Sequence, residues 1–299
     1  MVPVKCDTRG NIYVRGYLRG DYLGAPLIRI SADGTQRTVF DARKAPGFEK
    51  AQVHDFSVDF RGTVYLLAST SPKDRRIATF AESGEFESSI SIQAPFSPEK
   101  LVVLPSGQFL ITGEELSEKD WSITGQPFTV LVDSSGRIVK AIRLSGDVEA
   151  PRRSEKPENP TQVQDQIQKD MSAIELGSAT VGEDGSIYIM RATNPPRIYV
   201  LDPVGNQVRQ FDIVPPGKNY EVVEFKVALG KVAAQFEAKQ EGTSAAEQIL
   251  SLIDAETGDR LVDYVSPKEI GGVLACYRPD SFLFLGQQEG RPVIQKVGP

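Results

Sequence analysis

Asp59-Phe60-Arg61-Gly62-Thr63-Val64-Tyr65-Leu66 is the stretch that decides the fold. A glycine closes a tight turn, one small or polar residue follows, and three mostly apolar residues open a strand. Glycine supplies the positive φ that tight hairpins need. The pattern recurs from Gly10 (Asn-Ile-Tyr-Val), Gly107 (Gln-Phe-Leu-Ile), Gly185 (Ser-Ile-Tyr-Ile), Gly230 (Lys-Val-Ala-Ala) and Asp280 (Ser-Phe-Leu-Phe). Aspartate replaces glycine in the last copy because it tolerates left-handed backbone better than most residues. Copies lie about 45 to 52 residues apart, with one longer gap between Gly107 and Gly185. Self-similarity at such a period means a propeller, a solenoid or an array.

Each copy expands into about four strands. In the second, Asp55–Asp59 enters the turn and Val64–Ala68 leaves it; Ile77–Phe80 and Phe86–Ile92 follow. In the fourth the strands are Ser178–Val181, Ile187–Met190, Ile198–Leu201 and Gln207–Ile213. Runs such as Val64-Tyr65-Leu66-Leu67 are apolar on both faces, as in sheets sandwiched between neighbours. No stripe of 3.6-residue period recurs between strands, which excludes an α/β barrel. The expected fold is all-β: one six-bladed β-propeller over residues 1–299, with blades at about 1–45, 52–93, 99–145, 176–215, 221–266 and 271–299. The last blade runs out of chain after three strands. Its fourth is expected upstream of Met1 in a longer precursor carrying an export signal, which predicts a periplasmic or secreted protein; a naturally three-stranded blade is the alternative.

The segment at about 145–175 breaks the repeat. It is too polar and proline-rich for a strand, then becomes plausible helix from the N-cap Asn159 and Pro160. Val163, Ile167, Met171 and Ile174 form one apolar stripe. The segment is expected to pack on a blade as a surface insertion, with a lid beside the central channel as the functional alternative.

The 299 residues carry a net charge of −6 and no Lys/Arg-rich stripe, so nucleic acid is not an expected partner. No apolar run reaches membrane-span length, and the supplied N-terminus has no signal-peptide pattern. Cys6 and Cys276 both fall four residues before their turn residue, in the inner strands of blades that meet at ring closure. Equal register points both side chains the same way around the ring, which predicts two buried free thiols rather than a bridge.

Candidate chemistry is sparse. His54, the only histidine, and Asp55 stand eight and seven residues before their turn glycine, and Glu99 and Lys100 occupy the same places in the next blade. Glu175 and Glu224 lie near the corresponding ends of two further blades. These groups form either a solvated rim or a carboxylate ring able to hold calcium or another divalent ion through oxygen ligands. Trp121, in the polar loop Glu114–Gln126, and Asn194 before Pro195 and Pro196 belong to loops of the ligand face, as do Arg19, Asp21 and Tyr22. No phosphate loop, Cys-x-x-Cys pair, His-Glu-x-x-His helix or nucleophile elbow occurs.

The repeated Asp-x-x-Gly-x-hydrophobic-Tyr pattern, as in Asp7–Tyr13 and Asp59–Tyr65, resembles the six-bladed propellers of the NHL and TolB-like superfamily. That resemblance implies one of two functions. Gluconolactonase-like relatives are hydrolases with an axial divalent metal held by acidic and Asn residues; NHL modules only bind partners. A lyase-type relative relying on metal-binding histidines is disfavoured by the single His54. The expected function is a non-catalytic binding or scaffold propeller that recognises a protein, peptide or sugar on its loop face. The alternative is a metal-dependent lactonase or esterase with Asp55, Glu99, Glu175 or Glu224 as ligands.

Overall fold

The computed structural model describes residues 4–16, 23–145, 147, 172–175, 177–238, 248–265, 272–288 and 291–298. They form six antiparallel sheets, five of four strands and one of three. Within each, the strands pair in chain order from the axis outwards, so this is a six-bladed β-propeller. The inner strands are Val4–Cys6, Gln52–Val58, Phe96–Val103, Ser178–Val181, Tyr220–Ala228 and Val273–Arg278. The core lies between blades rather than within one: Tyr13, Leu27 and Phe40 of blade 1, for example, pack on Val64, Leu66 and Phe80 of blade 2. Burial on both faces explains why the second strands are apolar at consecutive positions.

The repeated motif is turn chemistry. Asp59 accepts hydrogen bonds from Arg61 N and Thr63 N, both at 2.9 Å, and Tyr65 reaches back to its second oxygen at 3.4 Å. Asp7 does the same with Arg9 N at 3.0 Å, Asn11 N at 2.9 Å and Tyr13 at 3.1 Å. The glycine closes each turn at positive φ, +87° at Gly10 and +89° at Gly62. The aspartate thus satisfies two backbone donors that the five-residue loop leaves without ladder partners.

The cysteines do not remain free: Cys6 and Cys276 form a disulfide, with their α-carbons 5.6 Å apart. Equal spacing to the turn residue misleads because the two turns differ in length. Cys6 pairs with Ile12 across a five-residue loop, whereas Arg278 pairs with Ser281 across only Pro279 and Asp280. The shorter loop slides Cys276 opposite Leu283 instead of Phe282. A one-residue slip turns a strand side chain to the other face. Phe282 faces blade 5 and Leu283 faces blade 1, so Cys276 points at Cys6.

The last blade has three strands, ending with Arg291–Val297, as its sequence predicts. Most of the 145–175 insertion, including Asn159, Val163, Ile167 and Met171, lies outside the described residues. Its last part, 172–175, is helical and buries Ala173 and Ile174, with Ala192 N donating to Ala173 O at 3.0 Å.

Asp59→Ala should destabilise the protein by about 1–2 kcal/mol in urea unfolding, and Asp59→Asn, which keeps an acceptor, by clearly less. Alkylation without reduction should leave the native mass unchanged, whereas prior reduction should add two adducts. Loop closure over 270 residues makes Cys276→Ser destabilising by up to roughly 5.5 kcal/mol on chain-entropy grounds.

Candidate functional site

The axial channel forms a cavity of about 1500 Å³ bounded by all six inner strands. His54, Asp55, Glu99, Lys100, Glu175, Asn194 and Glu224 all line it; Trp121 does not. The Trp121 ring instead reaches the neighbouring blade 2, 5.8 Å from Lys73 Nζ and 5.7 Å from the Arg75 guanidinium. Arg19, Asp21 and Tyr22 lie outside the described residues.

β-Bulges place the polar residues at the channel mouth. In blade 2, Val53 pairs with Ala68 and Asp55 with Leu67, leaving His54 as the extra residue. In blade 3, Pro98 pairs with Gly113 and Lys100 with Thr112, leaving Glu99. Blade 5 has the same irregularity between Val222 and Glu224. A bulge re-aims side chains locally, so the equal spacing of His54–Asp55 and Glu99–Lys100 reflects a shared backbone device.

The four groups nevertheless part company. His54 contacts Ser69 Oγ through Nε2 at 2.8 Å. Its pKa is pushed down to about 4 by burial, then by the nearby Arg75 and Arg15, against the opposing Asp55. The ring is therefore neutral at physiological pH. Asp55, only 2% exposed, accepts through Oδ2 from Lys5 Nζ and from Leu101 N, both at 2.8 Å. Lys5 also donates to the Phe56 carbonyl. Across the ring, Glu224 accepts from Phe225 N at 2.9 Å and sits 3.4 Å from Lys226 Nζ, which donates to Val4 O at 2.7 Å. Lys100 donates to Glu175 O at 2.9 Å.

Glu99 is held differently. Its nearest cation among the described residues is Lys100 at 3.9 Å. Burial pushes its carboxyl up to about 7, with Glu175, Glu114 and Asp55 adding repulsion and Lys100 opposing. Burial and Glu175 also raise Glu114. Glu99 therefore sits half-protonated near neutrality in the wall of the mouth.

A divalent ion of the kind the family resemblance implies would need several oxygen donors converging on one point. Among the described residues no three His, Cys, Asp or Glu side chains lie close enough to hold one. Asp55 and Glu224 are engaged with Lys5 and Lys226, and the carboxylates of Glu99 and Glu175 do not complete a set. As placed, these residues do not fit a shared ion.

Sequence reasoning identified Asp55, Glu99, Lys100, Glu175 and Glu224 as channel residues but missed Lys5 and Lys226, and missed Glu114, which does not line the channel but adds repulsion at Glu99. The first two left a signal: a single lysine between two apolar neighbours in an inner strand, Val4-Lys5-Cys6 and Phe225-Lys226-Val227.

No protein-family model matches the chain, and no curated protein matches its sequence. Solved structures do resemble it. A streptogramin B lyase aligns over 100% of this chain and 82% of its own, at 12% identity and a TM-score of 0.54. TolB from Acinetobacter baumannii aligns over 99% of this chain at 15% identity and a TM-score of 0.55. This chain spans only 62% of that TolB chain's length. A candidate gluconolactonase aligns over 95% of this chain and 85% of its own, at 14% identity and a TM-score of 0.50.

A raised carboxyl pKa means that the folded state keeps a proton the unfolded chain releases. Glu99 therefore contributes about 1–3 kcal/mol of stability that is lost as pH rises from about 4.5 to 7.5, whereas His54, with its pKa lowered, contributes in the opposite direction between about pH 4 and 6.5. In Glu99→Gln only the His54 contribution remains, so the variant should gain stability relative to the wild type as pH rises from about 4.5 to 7.5, read by urea unfolding across the range. At this level of identity the likeness establishes one thing: the chain shares the β-propeller fold of TolB, the lyase and the gluconolactonase-like protein.

Proposed function

We propose that this propeller is a non-catalytic binding module whose ligand, a protein, peptide or sugar, enters the mouth of the axial channel on the loop face. The observation that carries the reading is the division of labour among the channel's ionisable groups. Asp55, Lys5 and Lys226 are committed to neighbouring blades, Glu224 to Phe225 N and Lys226 of its own strand, and His54 to Ser69. Glu99 is left half-buried in a wide polar mouth, with only a long contact to Lys100. A carboxyl without a close donor, beside a cavity of about 1500 Å³, suits recognition of a ligand that brings hydrogen-bond donors of its own. TolB, the lyase and the gluconolactonase-like protein differ in their named activities, so their shared fold favours no single chemistry.

We further propose that the protein works in an oxidising compartment, periplasmic or extracellular. The Cys6–Cys276 bridge supports this, since such bonds persist where thiols are not kept reduced. No helix among the described residues is long and apolar enough to cross a membrane.

Calorimetric titration against peptide and oligosaccharide panels tests the binding reading. A hit should weaken at least about tenfold in Glu99→Gln, roughly 1.4 kcal/mol, while Asp280→Ala, on the opposite face, should bind normally. The metal-dependent lactonase or esterase reading makes the contrary prediction. Calcium, zinc or manganese at a hundred times its dissociation constant would raise folding stability by roughly 2.7 kcal/mol. Such a shift, lost in Glu99→Ala and accompanied by lactone or ester turnover, would replace the binding reading.

A further inference from the structure

The face of the ring opposite the channel mouth carries a pattern of its own. Inner strands begin at the mouth, so the turns that end them all lie on this far face. The first central residue of each turn forms its tip: Thr8, Phe60, Pro105, Glu183, Leu229 and Pro279 in blades 1 to 6. All of these tips are exposed. All but Leu229 line the far end of the axial channel, and Leu229 follows Ala228, which does. Phe60 is 72% exposed and Leu229 45%. With Pro105 and Pro279 they make most of the rim around this opening apolar.

Nothing in its own turn favours Leu229. It and Gly230 are the central pair of a two-residue hairpin, at φ +54° and +67°. Such a turn needs left-handed backbone at both positions, which suits Asn-Gly and strains a leucine. The protein thus holds an exposed apolar side chain where turn chemistry favours a polar one. Strain kept at an exposed position points to a contact made with another molecule.

The two polar tips stand opposite each other across the ring. In blade 1, Arg9 is 44% exposed above Asp7, which is only 4% exposed, and Glu82 steadies the guanidinium at 2.9 Å. Blade 4 presents Glu183 and Asp184, both exposed. Identical subunits close into a pair through one self-complementary patch related by a two-fold axis. When one turn face is laid on another, each choice of axis fixes which blades meet. The axis that passes between blades 2 and 3, and between blades 5 and 6, sets blade 1 on blade 4. It also sets blade 2 on blade 3 and blade 5 on blade 6. Arg9 then meets Glu183 and Asp184, Phe60 meets Pro105, and Leu229 meets Pro279. Every other axis sets Glu183 against an apolar tip or against its own copy.

We propose that a second copy of this chain docks on the turn face through that two-fold axis. Apolar contact supplies the adhesion, and the two Arg9–Glu183 pairings supply the register. Each channel is then closed at its far end by the partner, and the two mouths open in opposite directions. The contact lies on the face away from the mouth and does not depend on what the mouth binds.

Sedimentation equilibrium of the chain from about 1 μM to 0.1 mM tests the proposal, because a dimer of micromolar Kd is largely formed at the upper end. Leu229→Asn should weaken the dimer at least about tenfold. Its urea midpoint, measured at a dilution where both proteins are monomeric, should stay equal or rise, since asparagine suits the turn. That comparison separates a lost contact from a lost fold. Arg9→Glu and Glu183→Arg should each weaken association at least about tenfold, and the two together should restore most of it. A monomer across the whole range overturns the proposal, as does a dimer that Leu229→Asn leaves intact. A double variant that associates no better than the single ones overturns it too.

Discussion

Each inner strand pairs with its own blade along one edge and faces the channel with the other, and the fold depends on how those free edges are satisfied. Neighbouring inner strands splay too far apart for a continuous ladder, yet an unmet backbone donor or acceptor there is costly. Side chains bridge the gaps. Asp55 takes Leu101 N and Ser57 takes Val103 N at 2.9 Å, joining blade 2 to blade 3. Gln235 accepts from Leu274 N at 2.7 Å and donates to Gly272 O at 2.6 Å, joining blade 5 to blade 6. Lys226 reaches Val4 O, past blade 6 to blade 1.

This requirement explains the charged and polar groups along the channel. A lysine or carboxylate that holds two strands together is restrained by both and has little freedom to meet a substrate. On the proposed binding reading, the residues left to serve a ligand are those displaced from the ladder by the bulges, foremost Glu99, whose surroundings of Glu114 and Glu175 leave its charge poorly compensated. His54 occupies the same bulge position in blade 2 but is turned to Ser69 and flanked by arginines. One backbone device thus yields two unlike environments, because the neighbouring blades supply different charges.

Much of the architecture was legible in the chain. Asp7, Gly10 and Tyr13, or Asp59, Gly62 and Tyr65, are contacts within a single hairpin, so their spacing survives as a readable motif. The depth of Asp55, Glu99, Lys100, Glu175 and Glu224 along the channel could be read the same way, by counting from the turns. Their partners could not. Lys5 and Asp55 are 50 residues apart, and Lys226 and Val4 are 222 apart, so no local pattern links them. The cysteines mark the boundary most sharply: counting placed both at the right depth, but a hairpin with a two-residue loop reversed one of them.

The sequence by itself determined the blade number, the strand order, the turn chemistry and the three-stranded last blade, because each is written in residues a few positions apart and repeated with a constant period. Only the tertiary structure decided which face each inner-strand side chain presents, which charges neutralise one another across the axis, and that Cys6 meets Cys276. Those outcomes depend on ring closure, which brings together residues that no periodicity relates, and on single-residue shifts in register, which leave the hydrophobic pattern almost unchanged while reversing the direction of a side chain.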